Sequence, residues 1–425
     1  MSHAADHRLT PNSHWSFARP VSGVCHDTGP GISFGLLILF LIVLYSNISK
    51  MYPQLETVRP ALIVAAGAVL AMFVELGAAR RGFKLTWPQG YLLPVFIGVA
   101  VISSFSAIYS RHAFETTLDI AKILLVYLLL ENTVTSETRV RMILWTLVLG
   151  GLFPAVGTIR NFMRGILWEQ TRAAWIGIFR NPNESAYALV LLVPLAGALF
   201  AGSHWIARIG LAAIVTAYLI AIYLTFSRGG VIGLLAVLGL LGWKQKSVLV
   251  RAFMVVALAA GLLVMALFWQ RKDDFKDLRR DTTVNQRIAT MKAGIAMFVD
   301  RPLTGVGPGC SMVAYPLYVP KEAHCGCQDQ LVIHNAFIQV LSEMGLLGFL
   351  PFIVFLGLTI YQLRIASQRA GTAPIAQYTA GLEVALWGFV VCGMSGGFSY
   401  TWFPYILVGL SVATKRVADW GLQES

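Results

Sequence analysis

Long, unbroken runs of apolar residues dominate this chain. A helix needs roughly 20 such residues to cross the ~30 Å hydrocarbon layer, because lipid offers no partner for backbone N–H and C=O groups. Transmembrane β-strands have short segments of alternating polarity instead. The pattern therefore predicts an all-α polytopic membrane protein with about 12 transmembrane helices. The runs lie at about 32–48, 59–78, 90–108, 118–134, 142–159, 185–203, 209–226, 230–243, 252–269, 335–361, 376–397 and 402–414.

Composition agrees with this pattern and adds the domain boundaries. The chain is 56% hydrophobic and only 13% charged, whereas soluble domains have about 25% charged residues. The first thirty residues are polar and contain three prolines, so we expect the first apolar run to be an uncleaved span. We predict these segments: 1–31 cytoplasmic, 32–269 helices one to nine, 270–333 a large periplasmic loop region, 334–416 helices ten to twelve, and 417–425 a cytoplasmic tail.

The distribution of Lys and Arg predicts the orientation. Short cytoplasmic loops are rich in these residues, and Arg80, Arg81, Arg139, Lys244 and Lys415 all follow even-numbered spans. Both termini are therefore expected in the cytoplasm of a bacterium, with the protein in its inner membrane. Two larger loops, at about 160–184 and 270–333, are then periplasmic.

Both periplasmic loops are unusually cationic. The first contains four arginines and the second nine lysines and arginines, in a chain whose net charge is +12. Guanidinium groups bind phosphate oxygens in a bidentate way and stay charged at any working pH. We therefore predict an anionic ligand in this region. The alternative is that these loops are charged because they are solvated.

Two motifs precede predicted spans. Asn181 and Asn183 lie in Arg180–Ser185, where Asn and Pro are typical of a helix start; a cation such as Arg180 fits this positive helix end only together with an anion. The second motif, Thr225–Gly230, holds Arg228 near the membrane boundary. A charged side chain at this depth indicates a functional role. The alternative is that Arg228 only extends its guanidinium to the lipid–water interface.

Two further motifs lie within the large loop and directly after it. The glycines of Gly305–Gly309 indicate first of all a turn. A loop that binds phosphate is the second interpretation. The pair His334–Asn335 opens a long helix in which Gln339 and Glu343 form a polar stripe. Such stripes usually face the interior of a helix bundle or an aqueous cavity. An unperturbed histidine titrates near neutral pH, which suits proton transfer.

The cysteines of the loop allow one disulfide in an oxidising periplasm. Cys310 pairs with either Cys325 or Cys327 in that case, and one thiol is left free. The fragment around His324 lacks the ligand spacing of a zinc site, so no metal site is predicted.

Together these motifs resemble the bacterial O-antigen ligase and polymerase superfamily. The resemblance covers roughly residues 30–415 and rests on Arg180–Asn183, Ser227–Gly230, Arg287 with 302–309, His334–Asn335 and Glu343–Gly345. It implies a glycosyltransferase of the GT-C type that works without a cofactor or metal. The implied donor is O-antigen polysaccharide on undecaprenyl pyrophosphate and the implied acceptor is a sugar hydroxyl of lipid A–core. Membrane lipids are the other expected partners, and no nucleic acid is expected.

On this resemblance we predict an inverting displacement at the periplasmic face. His334 and Arg287 are the predicted catalytic residues, and His334 acts either as a general base or as a phosphate ligand. The donor pyrophosphate is assigned to four arginines: Arg287, Arg180, Arg160 and Arg228. Further substrate contacts are assigned to Asn335, Gln339, Glu343, Asn181, Asn183 and Tyr315.

Three other functions stay open at this stage. An O-antigen polymerase and a protein O-oligosaccharyltransferase use the same donor chemistry, so the motifs do not separate them from a ligase. The short tail after the last span and the basic loops favour a ligase with a phosphorylated acceptor. A transporter for a lipid-linked glycan also places arginines around a cavity, but such proteins usually carry charges near the middle of the membrane.

Overall fold

The computed structural model describes residues 31–421, apart from 169–170, 246, 250, 253, 257–258, 260, 262–281, 321–329 and 372. This described part is helical and contains no β-strand. Its numbered helices are α1 Ile32–Ser46, α2 Ile48–Met51, α3 Pro53–Val58, α4 Pro60–Ala78, α5 Gln89–Phe105, α6 Ser110–Thr133, α7 Glu137–Gly150, α8 Leu152–Met163, α9 Pro182–Ala201, α10 Trp205–Leu224, α11 Arg228–Lys244, α12 Thr282–Asp300, α13 Ser311–Tyr318, α14 Ala336–Arg369, α15 Pro374–Gly393 and α16 Trp402–Gly421.

Six helical stretches of the described residues are long and apolar enough to cross a membrane, which makes this a membrane protein. Two shorter apolar helices, α1 and α5, accompany them. The six stretches are Gln54–Ala78, Glu137–Met163, Pro182–Ala201, Trp205–Leu224, Ala336–Arg369 and Pro374–Gly393. The count of twelve spans and the orientation in the membrane stay predictions.

Helices α9 and α15 form the centre of the bundle, because most of their side chains are buried, whereas few side chains of α4 and α10 are buried. Polar contacts between helices add to the packing of apolar side chains. Gln89 donates hydrogen bonds to Thr359 and Gln362, at 3.3 and 3.0 Å. Lys244 pairs with Glu383 at 2.6 Å.

The long helix α14 is broken at Gly345, whose φ of 60° and ψ of −161° are not helical. The break removes the bonds that Leu346 N and Leu347 N would make within the helix. They bind instead to the carbonyls of Pro302 and Leu303, at 2.8 and 3.2 Å. In return, the N–H groups of Val306 and Gly307 bind the freed carbonyls of Ser342 and Glu343, both at 2.9 Å.

The segment Pro302–Gly307 thus replaces the helix hydrogen bonds that the break removes. Buried backbone groups without partners are costly, which explains why the two segments dock. The predicted turn at Gly305–Gly309 is confirmed: its three glycines have φ values of 67°, 110° and 72°. Its N–H groups at Val306 and Gly307 bind protein carbonyls, so they do not form a phosphate cradle.

Several predicted boundaries differ from the observed ones. The apolar run 142–159 is divided into α7 and α8, and Arg160 lies in α8 rather than in the following loop. The segment 270–333, predicted as a large loop region, contains the helices α12 and α13. The run 252–269 lies largely outside the described residues, as do Cys25, Cys325 and Cys327. Cys310 is a buried free thiol, and burial raises its pKa to about 11.

Candidate functional site

Three helix starts meet at one end of the bundle. Asn181 caps α9 through a 2.9 Å bond from Asn183 N. Ser227 caps α11 through Gly230 N at 3.1 Å. Asn335 caps α14. Helix N-termini carry partial positive charge and attract anions.

Side chains tie these starts together. Asn183 Oδ1 accepts a 2.8 Å bond from Ser227 Oγ, which links α9 to α11. Tyr187, one turn further along α9, donates to the carbonyl of Ser395 at 3.0 Å. Asn335 Nδ2 donates to the carbonyl of Met394 at 3.2 Å. Both acceptors directly follow α15, so its end joins the group.

Arg172 reaches this group from the loop before α9. Its Nε donates to the carbonyl of Thr225 at 2.9 Å, and its Nη2 donates to Asn183 Oδ1 at 2.6 Å. The side chain is buried, with 6% of its surface exposed. Two bonds to fixed acceptors orient the planar guanidinium, and a buried cation favours an anionic partner.

His334 lies beside two arginines. Burial first, and then the charges of Arg287 and Arg172, together lower the pKa of its imidazole from 6.5 to about 4. The neutral imidazole is therefore the dominant form at physiological pH, and it can accept a proton. Arg287 is also close enough to act electrostatically on Tyr187.

The Nε atom of Arg287 is buried and has no hydrogen-bond partner among the described residues. Buried donors on charged groups are normally bonded, since an unbonded one costs about 1–3 kcal/mol or more. An anion bound between Arg287 and Arg172 removes that penalty. We use the name arginine–histidine cluster for Arg172, Arg287 and His334 with their partners Asn183 and Ser227.

The other three predicted phosphate ligands differ from Arg287 in exposure and in contacts. Arg160 is exposed and stands over the ring of Trp175 at 4.8 Å, whereas Arg180 is exposed and stands over Trp168 at 5.9 Å. Their described contacts are thus with tryptophans. Arg228 is partly buried in the first turn of α11, directly after Ser227. Arg160 and Trp175 also line an apolar cavity of about 660 Å³ between α1, α7 and α8.

The polar stripe on α14 is buried, as predicted, but its side chains already have protein partners. Gln339 Oε1 accepts from Ser399 Oγ at 3.1 Å. The Glu343 carboxylate accepts from Gly309 N at 2.9 Å and from Ser311 N and Oγ at 3.4 and 2.5 Å. Tyr315 is fully buried in a small apolar cluster. Glu343 and Tyr315 therefore support the loop that carries α12 and α13.

Sequence reasoning left Arg172, Tyr187, Ser227 and Ser395 out of the predicted site. Arg172 was one of four arginines in its loop, and no local pattern distinguished it. Tyr187 carried a weak signal, because it follows Asn183 by four residues and so shares its helix face. The contact with Ser395 joins residues 208 positions apart, which no local motif reveals.

Residues 211–353, about a third of the chain, match the model of a family described as O-antigen ligase. The matched region contains Ser227, Arg287 and His334, whereas Arg172 and Asn183 precede it. No curated protein matches the sequence. A chain from a structure described as "Structural coordination of polymerization and crosslinking by a peptidoglycan synthase complex" aligns with 79% of this chain and 99% of that chain, at 17% identity and a TM-score of 0.47.

Proposed function

We propose that the protein is an O-antigen ligase of the inner membrane. It transfers polysaccharide from undecaprenyl pyrophosphate to a sugar hydroxyl of lipid A–core at the periplasmic face, with inversion and without a metal. The observation that carries this proposal is the buried, unbonded Nε of Arg287 beside His334 and Arg172. The family match over residues 211–353 supports a lipid-linked glycan as the substrate.

In the proposed step the acceptor oxygen attacks the anomeric carbon from the side opposite the pyrophosphate. The new C–O bond forms as the bond between that carbon and the phosphate oxygen breaks. Negative charge then grows on the leaving pyrophosphate, and the fixed guanidinium groups of Arg172 and Arg287 stabilise it. Removing one such oriented donor typically lowers the rate by about 10²–10³, or roughly 2.7–4 kcal/mol.

The acceptor proton passes to His334 in this mechanism. General-base catalysis contributes about 10²–10⁴ to rates, and it requires the neutral imidazole. The low pKa of His334 supports this role over that of a cationic phosphate ligand. Asn183 and Ser227 position Arg172, and Asn335 fixes the start of α14 directly after His334.

The other predicted residues have secondary roles in the proposal. Arg228 and Arg180 lie near the starts of α11 and α9, where they extend the cationic surface that receives the donor. Arg160 lies at the apolar cavity between α1, α7 and α8 and meets the donor before it reaches the cluster. Asn181 and Gln339 hold the backbone around the cluster.

The test is transfer in vitro by purified protein in lipid, with undecaprenyl-pyrophosphate glycan, lipid A–core and a chelator. Wild type is compared with Arg287→Ala, His334→Ala and, as a control, Arg111→Ala. Arg111 is 82% exposed in a surface ion pair with Glu115, so its loss removes a cation without touching the cluster. We expect conjugated lipopolysaccharide from wild type and Arg111→Ala, and a loss of at least about 100-fold in the other two.

Each alternative gives a different product. Growth of the glycan on its own lipid identifies a polymerase. Transfer to a protein serine or threonine identifies an oligosaccharyltransferase. If none of these products forms but labelled donor crosses the bilayer of vesicles, the protein is a transporter, and the proposed reaction is wrong.

A further inference from the structure

The face of α12 that points away from the bundle is apolar. Its inner face packs through Ala289, Ala293 and Met297, which are almost fully buried. On the outer face Ile288, Ile295 and Val299 are 47%, 49% and 71% exposed. A helix turns about 100° per residue, so these three side chains fall within roughly 40° of one another.

Lys292 is exposed and lies within this stripe, one turn from both Ile288 and Ile295. We call Ile288, Lys292, Ile295 and Val299 the outer stripe. The solvent-facing side of a helix is normally polar. A contiguous exposed apolar surface instead marks a contact with a partner or with lipid.

Helix α12 packs on the bundle along its length. In its middle it lies against the start of α14, where a Cβ added at Gly294 would be 2.7 Å from Ile338. Beyond its C-terminal end, Arg301 Nη1 donates to the carbonyl of Ser106 at 2.7 Å, directly after α5. The helix is about 28 Å long at 1.5 Å per residue. These contacts hold it against α14 and α5, so it does not project away from the bundle.

Exposed apolar side chains lie close in sequence to this contact. Ile102 and Phe105, just before Ser106, are 57% and 75% exposed, and Leu303, which follows α12, is 61% exposed. Exposed apolar residues therefore occur at the end of α5 and at the end of α12, next to Val299 of the outer stripe.

We propose that α12 lies in the lipid–water interface, with Ile288, Ile295 and Val299 among the acyl chains and Lys292 among the lipid phosphates. Amphipathic helices with apolar and basic residues bind in this way, about 5–10 Å into the boundary. The aliphatic part of a lysine packs along apolar surface while its ammonium reaches the phosphates. The interface then fixes the height of Arg287, on the same helix, at the level of lipid phosphate groups.

The test uses a fluorescent non-canonical amino acid at Ile295 of the full-length protein in vesicles with anionic lipid. The matched position is Ala296, which is also exposed but points about 100° away. Quenching by lipids labelled near the headgroup is compared with quenching by aqueous iodide. We expect lipid quenching and protection from iodide at Ile295, and several-fold stronger iodide quenching at Ala296.

Strong iodide quenching at Ile295 without lipid quenching overturns the proposal, because the stripe then faces water. Protection from both quenchers also overturns it, in favour of a protein partner or a second copy of the chain. Lys292→Glu tests the phosphate contact: it should increase iodide quenching at Ile295 in both kinds of vesicle, and more strongly in anionic ones, because every phospholipid has a phosphate and anionic lipids add net charge. No increase in either kind of vesicle removes the role of Lys292. None of these readings depends on the proposed reaction.

Discussion

Arg172 Nη2 donates a 2.6 Å hydrogen bond to Asn183 Oδ1, and the same oxygen accepts from Ser227 Oγ at 2.8 Å. One amide oxygen therefore joins a loop arginine to the starts of α9 and α11. Because this hydrogen bond holds both side chains in place, we expect a change at Asn183 to disturb the orientation of the Arg172 guanidinium.

The first prediction concerns this pair. Arg172→Lys keeps the charge but cannot bond both Thr225 O and Asn183 Oδ1 from one planar group. We expect glycan transfer to fall by about 10²-fold, within the range for loss of one oriented donor. Asn183→Ala should act through the same bond. The double variant should therefore lose less than the sum of the two, with a coupling energy of about 0.5–3 kcal/mol in transfer rate.

Arg208, in α10, provides a matched control. It also donates hydrogen bonds to two backbone carbonyls, those of Phe200 and Ala201 at the end of α9, at 3.1 Å each. Unlike Arg172, it is exposed and lies outside the cluster. Arg208→Lys should leave transfer within about twofold of wild type. Fully additive effects of the Arg172 and Asn183 changes would contradict the shared role.

The second prediction concerns the pH dependence of transfer. The pKa of His334 is lowered from 6.5 to about 4 by burial and by the charges of Arg287 and Arg172. If His334 is the base, kcat/KM should be flat above about pH 5 and should fall as the pH drops through about 4. Arg287→Lys keeps a cation and should leave this limb in place, whereas removal of the charge should move it to higher pH. A limb that persists in His334→Gln would exclude the assignment.

The same shift predicts a stability effect of known sign. Between pH 6.5 and 4 the unfolded chain binds a proton at His334 and the folded chain does not. Stability therefore decreases as the pH falls through this window, by an amount on the order of 3 kcal/mol in all. His334→Gln should remove this part of the acid sensitivity. Thermal unfolding in detergent at pH 7 and pH 4.5 measures it, and an unchanged difference between the two pH values would contradict it.

The sequence predicted the helices well because apolar runs and lipid constraints act locally. It did not predict where α14 breaks, since the break depends on Pro302–Gly307, a segment about forty residues earlier. A local pattern pointed to His334 and the family resemblance to Arg287, and in the fold the charge of Arg287 acts on the His334 imidazole. The choice of Arg172 over Arg180 depends on contacts with Thr225 and Asn183, and no pattern within the loop contains that information.

The fourth prediction separates two roles of Glu343. Its carboxylate accepts bonds from Gly309 and Ser311, so Glu343→Gln removes an acceptor for a buried donor. We expect a loss of about 1–3 kcal/mol in stability, visible as a lower unfolding temperature. The control is Glu115→Gln, since Glu115 is 61% exposed and its surface pair contributes little. Lost transfer at unchanged stability would instead indicate that Glu343 contacts substrate.

The last prediction tests the break in α14 with two glycines of the same helix. An added Cβ at Gly345 would lie 2.3 Å from the backbone of Leu303, and φ there is +60°. Neither backbone can move without breaking the exchanged hydrogen bonds between Pro302–Gly307 and α14. At Gly357 a Cβ would meet nothing within 4 Å.

Gly345→Ala should therefore lower stability by at least about 2 kcal/mol, because of backbone strain. It should also reduce transfer, because α12 and Arg287 are attached to the same segment. Gly357→Ala should be neutral or stabilise by up to about 1 kcal/mol, since alanine favours the helix. Unfolding temperature and transfer rate, measured on both variants in lipid, decide the point: similar behaviour of the two would mean that the docking of Pro302–Gly307 on α14 does not hold the site.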